Sequence, residues 1–253
     1  MGIPLHVHSS FSPLSGLCHP EEIVEFALKN GIKSIAITET NGFYGLHFFL
    51  QAAREKGIMP LVGAEVKFLD FRLVVICSSK IGYEKLCSLI SLINFEKIDE
   101  ESFFLYLSEM SADVVVFSDH RELLFKISNS FSKNRIYFEI SPGFFNHSDV
   151  IWARKAGIEL LATTRARYID PKDHYSYLLI SAIKQNKTLS SIKLNDYNES
   201  CRLYNPLDFS NLFTPYPEAI KNTYKVAEIC RFDMSQQSII FPEFNNLDSS
   251  ECW

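Results

Sequence analysis

The residues best placed to do chemistry stand at the very start of the chain, where His6-Val7-His8 closes a short apolar run. Side chains two apart on an extended strand point to one face, so both imidazoles can reach a single point, as metal ligands must. A pair of hydrogen-bonded histidines at a strand end is the other reading, and the spacing alone leaves both open. Glu65 adds weight to the metal reading, because it closes a later apolar run after Gly63. If these strands run parallel around a barrel, Glu65, His6 and His8 meet at the carboxyl-end rim, where such barrels build their sites. Ser9-Ser10 follow the histidines, but with no neighbouring base and no G-x-S-x-G turn they read as hydrogen-bonding residues, not nucleophiles. The aromatic pairs Phe48-Phe49, Phe103-Phe104 and Phe144-Phe145 fall mostly on apolar faces and read as core packing before base-stacking platforms.

The elements that must position these residues are legible as apolar or β-branched runs alternating with amphipathic stretches, the pattern of a parallel α/β sheet or barrel. Seven strands are predicted, over Pro4–His8, Lys33–Thr38, Met59–Val66, Arg72–Cys77, Asp113–Phe117, Arg135–Ile140 and Ile158–Thr163. Helices are predicted over Pro20–Asn30, Leu46–Lys56, Tyr83–Ile93, His120–Ser128, Ser148–Ala156 and His174–Lys184, with Gly31 and Gly57 as stops. After Lys187 the alternation gives way to a polar stretch, and a further helix follows Pro217 to about Cys230. The division expected is a barrel over 1–187, an extension over 188–240 and a tail over 241–253.

Composition narrows the function. The chain has 253 residues, 47% of them hydrophobic, enough for a substantial core. Its 25 basic and 30 acidic residues leave a formal charge of −5, which argues against tight autonomous binding to a phosphate backbone. The six cysteines form no CxxC pair and read as reduced thiols, several of them core residues. The opening MGIPLHVHSS lacks a signal-peptide pattern, and no run approaches the ~20 apolar residues of a membrane span. A soluble, cytoplasmic protein without membrane contact is expected.

The run PLHVHSSFSPLSG, the stretch HPEEIVEFALKNGIKSIAITETNGFYG and the segment AAREKGIMPLVGAEV together resemble the polymerase-and-histidinol-phosphatase (PHP) domain of bacterial DNA polymerase III alpha subunits. Thr38-Glu39-Thr40-Asn41-Gly42 is similar to the T-D-T-N-G form of its second motif, found in alpha subunits related to the error-prone type. SSKIGYEKLCSLIS, GIELLATTRARYIDPKDHYSYLLISAIKQNKTL and YPEAIKNTYKVAEICRFDM extend the resemblance over nearly the whole chain. It implies a distorted (β/α)7, TIM-like barrel with a C-terminal helical appendage, and a trinuclear site of His, Asp, Glu and Cys ligands.

Carried over residue by residue, the resemblance places His6, His8 and Glu65 at ligand positions. It places Ser15 where the family has an aspartate, Thr40 and Arg72 where it has histidines, and Arg165 and Arg167 where it has an aspartate and a histidine. His120 stands near the place of a cysteine, and also reads as a surface histidine at a helix start. A guanidinium has no lone pair and stays protonated, so arginines at a ligand rim repel cations. Arg165 and Arg167 are therefore expected either to plug the site by pairing with Glu65 or Glu39, or to touch phosphate of a primer or template. His6, His8, Glu65 and His120 then form at most a vestigial site; no cofactor is expected beyond one zinc or manganese. The resemblance implies a largely non-catalytic scaffold in DNA replication or repair that braces a polymerase core, with that core or other replisome or repair subunits as partners and DNA touched only indirectly. The alternatives are a residual metal-dependent phosphoesterase or 3′-5′ exonuclease, and a stand-alone enzyme of the histidinol-phosphatase kind. With no polymerase palm in the sequence, a fragment, a split gene product or a free-standing relative is expected.

Overall fold

A computed structural model describes residues 2–192 and 198–234 of the chain. The tail expected over 241–253, with Cys252, lies outside the described residues, as does part of the polar stretch after Lys187. Six strands form one curled sheet in sequence order: β1 (Ser34–Thr40), β2 (Met59–Phe68), β3 (Phe71–Cys77), β4 (Val114–Ser118), β5 (Ile136–Ile140) and β6 (Glu159–Ala162). The helices are α1 (Pro20–Lys29), α2 (Leu46–Lys56), α3 (Lys80–Asn94), α4 (Glu100–Glu109), α5 (Arg121–Ile127), α6 (His147–Ala156), α7 (His174–Gln185), α8 (Pro206–Leu212) and α9 (Pro217–Ile229). Of these, α4 and α8 were not foreseen in the sequence pattern.

The mixed α/β class is as expected, and among the described residues the sheet is a curled half-barrel of six strands where seven were predicted. Residues 4–8 are not a sheet strand. They lie extended between β1 and the segment after β6, joined to Ala166 by an isolated parallel bridge at Val7. Amides Ala36 and Thr38 donate to the carbonyls of Pro4 and Val7, and His8 and Ala166 exchange bonds with the opposite segment. The Thr38 hydroxyl takes over the next ladder position, accepting from Val7 N at 3.0 Å. A side chain in place of a backbone carbonyl interrupts the ladder, so this segment spans the opening without becoming a strand.

The second departure is direction. β2 and β3 form an antiparallel hairpin across Leu69 and Asp70, and β3 is antiparallel to β4 as well, whereas β1–β2, β4–β5 and β5–β6 are parallel. Reversing β3 brings its first residues, Arg72 among them, to the same rim as the last residues of its neighbours. At Gly63 a side chain would run into the carbonyl of Val75 on β3, which accounts for the glycine two residues before Glu65.

A period of two along each strand separates the faces. Ala36, Leu61, Val74, Ile76, Val115, Phe117, Tyr137 and Leu161 point inward and pack with Ile3 and Leu5. The alternate residues, such as Ile35 and Ile37 or Val114 and Val116, pack outward against the helices. At the end opposite the histidines, α9 closes the curl by adding Val226, Ala227 and Cys230 to the inner cluster. Asn222 donates to the Leu160 carbonyl at 2.8 Å, and Thr223 accepts from Ile3 N at 2.9 Å. Tyr204, Phe209 and Phe213 join the main outer core, so the described residues beyond 198 complete both cores. Five free cysteines, four of them buried, behave as the packing residues expected.

Replacing buried Asn222 with alanine strands the Leu160 carbonyl and is expected to cost about 1–3 kcal/mol of unfolding free energy in a urea titration. Lys221→Ala, one exposed residue away, is expected to stay within about 0.5 kcal/mol of the parent.

Candidate functional site

The inward row of each strand continues past the apolar residues into a cluster of charge. Leu61 and Gly63 lead to Glu65 and Lys67 on β2. Phe117 leads to Asp119 beyond β4, and Tyr137 to Glu139 on β5. Leu161 and Thr163 lead to Arg165 and Arg167 beyond β6. On reversed β3 the row runs backwards from Ile76 through Val74 to Arg72. Together with His6 and His8 from the crossing segment, these side chains fill the mouth of the curl.

His6, His8 and Glu65 come together as the sequence suggested. Their ligating atoms all lie within 4.8 Å of one another. His6 Nε2 stands 3.2 Å from His8 Nε2 and 3.2 Å from Glu65 Oε2, and His8 Nε2 is 3.8 Å from the same oxygen. Hydrogen bonding fixes both rings. His6 Nδ1 lies 2.6 Å from Glu139 Oε1, and an ionised carboxylate only accepts, so that nitrogen carries a proton. The Ser12 hydroxyl is committed to Glu39, so at 3.1 Å it accepts from His8 Nδ1. Both imidazoles therefore turn Nε2 toward Glu65. Burial, with Arg167 beside it, holds His8 well below the usual histidine pKa, while Glu65 opposes that shift, so its Nε2 presents a lone pair at neutral pH.

Around this triangle the arginines are paired. Arg72 Nη2 lies 2.5 Å from Asp119 Oδ1 and 2.8 Å from Glu139 Oε2. Arg165 Nη2 lies 2.5 Å from Asp119 Oδ2 and 3.1 Å from Glu139 Oε2, with its guanidinium 4.4 Å above the centre of the Phe144 ring. Arg167 reaches Glu65 Oε2 at 3.5 Å, and Lys67 takes Glu65 Oε1 at 3.1 Å, where Thr40 also donates at 2.9 Å. Burial alone pushes the Glu139 carboxyl up, but Arg165, His6 and Arg72 more than reverse it and hold it well below the ordinary range. Asp119 is held down by Arg72 and Arg165, again against its burial. Glu65 is held well below the ordinary range by Arg167, the His6 hydrogen bond and Lys67, once more against full burial. Arg165 adopts φ 48°, a left-handed conformation that costs a non-glycine residue about 1–2 kcal/mol, and its ion pairs hold it there.

Residues 4–115 match the PHP domain family. The chain is similar to bacterial DNA polymerase III alpha subunits over nearly its whole length. Over 96% of its length it is 25% identical to DNA polymerase III subunit alpha of Buchnera aphidicola from Acyrthosiphon pisum, covering 24% of that protein. It is 29% identical to Error-prone DNA polymerase 1 of Rhizobium meliloti, over 95% of this chain and 23% of that one. The chain thus spans about a quarter of the length of the curated relatives it matches. Among solved structures, a two-domain Bacteroides vulgatus protein containing a predicted PHP-like metal-dependent phosphoesterase gives a TM-score of 0.48 at 15% identity, over 66% of this chain and 52% of that one. At that degree of overlap the site has to be read from its own geometry.

The donor triangle has room for one divalent ion. Bonds of about 2.0–2.1 Å in a tetrahedral site place donors on the order of 3.4 Å apart, which the spacings of 3.2 to 3.8 Å bracket. The His6–Glu139 contact is the outer carboxylate such a ligand wants. Among the described residues no second group of three such donors is drawn together. The further positions the resemblance assigns to ligands hold Ser15, Thr40, Arg72, Arg165 and Arg167, and Glu65 Oε2, the ligating oxygen, is shared with Arg167 and lies 3.7 Å from Arg72 Nη1.

His120 is not brought to this cluster. It sits one residue past the inward-facing Asp119, on the outer parity, where its Nδ1 caps α5 by accepting from Leu123 N at 3.2 Å and its ring meets Phe71 edge-on. The expected pairing of Arg167 with Glu65 is present, whereas Arg165 pairs with Asp119 and Glu139, and Glu39 lies on the outer parity of β1 with Ser9 and Ser12. Asp119, Glu139 and Lys67 were missed. The signal that would have found them is the period of two, counted onward from Phe117, Tyr137 and Glu65.

Because these carboxyls titrate below the ordinary glutamate value of 4.5, the stability they add is complete above that value and is lost as pH falls through their lower folded values. Arg165→Met, which leaves Asp119 and Glu139 short of a partner, is expected to cost about 3–5 kcal/mol at neutral pH. It is also expected to move the acid limb of a thermal-unfolding pH profile upward; an unchanged acid limb would count against the ion-pair assignment.

Proposed function

We propose that this PHP domain is a largely non-catalytic scaffold in DNA replication or repair, serving a polymerase core of the kind its relatives contain. The observation that carries this reading is the set of guanidinium–carboxylate pairs at Arg72, Arg165 and Arg167, standing where the resemblance assigns metal ligands. His6, His8 and Glu65 beneath them are no more than 1% exposed, so a phosphoester reaches them only if the pairs open. The curated relatives, named as polymerase subunits, support a polymerase polypeptide as partner and a cytoplasmic setting. No helix among the described residues is long and apolar enough to cross a membrane, which accords with that setting. DNA is touched only through the partner, given the net charge of −5.

The donor triangle favours a second reading, a residual phosphoesterase with one metal ion. His6 Nε2, His8 Nε2 and Glu65 Oε2 would hold a zinc or manganese ion, which when bound supplies Lewis-acid chemistry at a phosphoryl oxygen. Glu139 would orient His6, and Ser12 would orient His8. Arg167 and Arg72 oppose such an ion from the same oxygen.

Metal analysis of the purified chain after dialysis against zinc and manganese separates the two. The scaffold reading expects well under one equivalent retained and no release of nitrophenol from nitrophenyl phosphate. A full equivalent or more, or metal-dependent turnover, would overturn it. In the same assay Arg72→His, Arg165→Asp and Arg167→His combined are expected to raise the retained metal above one equivalent, because they exchange repelling cations for donors.

A further inference from the structure

A single exposed apolar residue needs no explanation, but α7 carries a row of them. Tyr175, Leu179 and Ile183 are 64%, 45% and 58% exposed, and at a spacing of four they lie one above another along the helix. The other side of α7 meets the domain. Tyr177, Ser181 and Ala182 are buried, Tyr177 packs with Tyr168 and Cys201, and Ile180 lies against the same cluster. The exposed row contributes nothing to that core.

Charge of opposite sign brackets the row. Asp170 and Asp173 precede α7, and Lys187 follows its C-cap Asn186. None of the three is in an ion pair among the described residues. Asp170 accepts from Lys172 N at 2.9 Å, and Lys187 Nζ donates to Gln185 Oε1 at 3.0 Å. At the acidic end Glu199 shares a cleft with Tyr175, Lys172 and Arg202, and the Arg202 guanidinium lies 3.8 Å above the centre of the Tyr204 ring. Three carboxylates against Lys172 and Arg202 leave that end net negative. At the basic end Lys184 is directed to Ser15 Oγ at 2.7 Å, so Lys187 supplies the free charge. The row and its charges are arranged about Leu179. Tyr175 and Ile183 each stand four residues from it, with Asp170 nine before and Lys187 eight after. Such a surface is complementary to itself. If two copies of α7 cross antiparallel at Leu179, Tyr175 of each meets Ile183 of the other and Asp170 of each meets Lys187 of the other, as an isologous contact requires. The helix dipoles then oppose as well. A uniformly acidic or basic partner would meet like charge at one end of the row, which favours a second copy.

We propose that the exposed face of α7 is a dimerisation surface, on which a second copy of this chain docks antiparallel across Leu179. A contact built on one helix from each copy stands at the small end of specific interfaces, so the dimer forms and parts with concentration. The apolar row supplies the attraction, and the two Asp170–Lys187 pairs fix the direction.

Analytical ultracentrifugation of the full chain over a dilution series is the test, and a reversible monomer–dimer equilibrium is expected. Leu179→Asp, which sets two carboxylates against each other at the crossing point, should weaken dimerisation by about tenfold or more. Leu105→Asp, at a more exposed apolar residue on α4, should leave it unchanged. Lys187→Glu should weaken it by about threefold, the scale of exposed ion pairs. Adding Asp170→Lys to that variant should restore it, a recovery that damaged folding could not produce. Leu179→Cys should link two copies under a mild oxidant where Leu105→Cys does not. A chain that stays monomeric would overturn the proposal and leave the row to a different polypeptide. A dimer that Leu179→Asp does not weaken, or a charge reversal that Asp170→Lys does not rescue, would put the contact elsewhere and overturn it too. None of these readouts depends on metal content or turnover, so they stand apart from the assay of the scaffold reading.

Discussion

A carboxylate buried in a protein interior needs a positive partner, because leaving water uncompensated costs several kcal/mol per ion. Glu65 and Glu139 are fully buried at the mouth of the sheet, and much around them follows from that need. A metal ion meets it in one way and a guanidinium in another. Here Arg72 and Arg165 bracket Asp119 and Glu139, while Arg167 and Lys67 attend Glu65. The left-handed backbone at Arg165 is tolerated for the same reason, since relaxing it would withdraw the guanidinium from two carboxylates at once.

The histidines sit inside that arrangement with both rings oriented by hydrogen bonds. Glu139 and Ser12 hold the Nδ1 protons, so the Nε2 atoms converge with Glu65 Oε2. Converging lone pairs repel unless a proton or a cation lies among them.

Much of the scaffold was legible in the sequence. The β1, α2 and β2 boundaries follow from apolar runs and from Gly57, which adopts a positive φ at the end of α2. The convergence of His6, His8 and Glu65 was suggested by spacing, because residues two apart in an extended segment face one way and Glu65 closes an apolar run toward the same rim. The helix α4 was less legible, its sequence EESFFLYLSE being apolar on more than one face and so weakly periodic. Of the two readings open for His120, the structure gives the histidine at a helix start, where it caps α5.

The sequence by itself determined the class of fold, the ligand pair and the presence of arginines where donors would be needed, because local periodicity and side-chain chemistry are properties of the residues alone. Only the tertiary structure decided that β3 runs backwards and delivers Arg72 to the rim, that residues 4–8 bridge the opening without joining the sheet, and which carboxylate each arginine takes. Those outcomes depend on distances between segments far apart in the chain, as between His6 and Glu139, 133 residues apart. Electrostatic partnership in a buried cluster is set by such distances and by shared burial, neither of which a linear pattern contains.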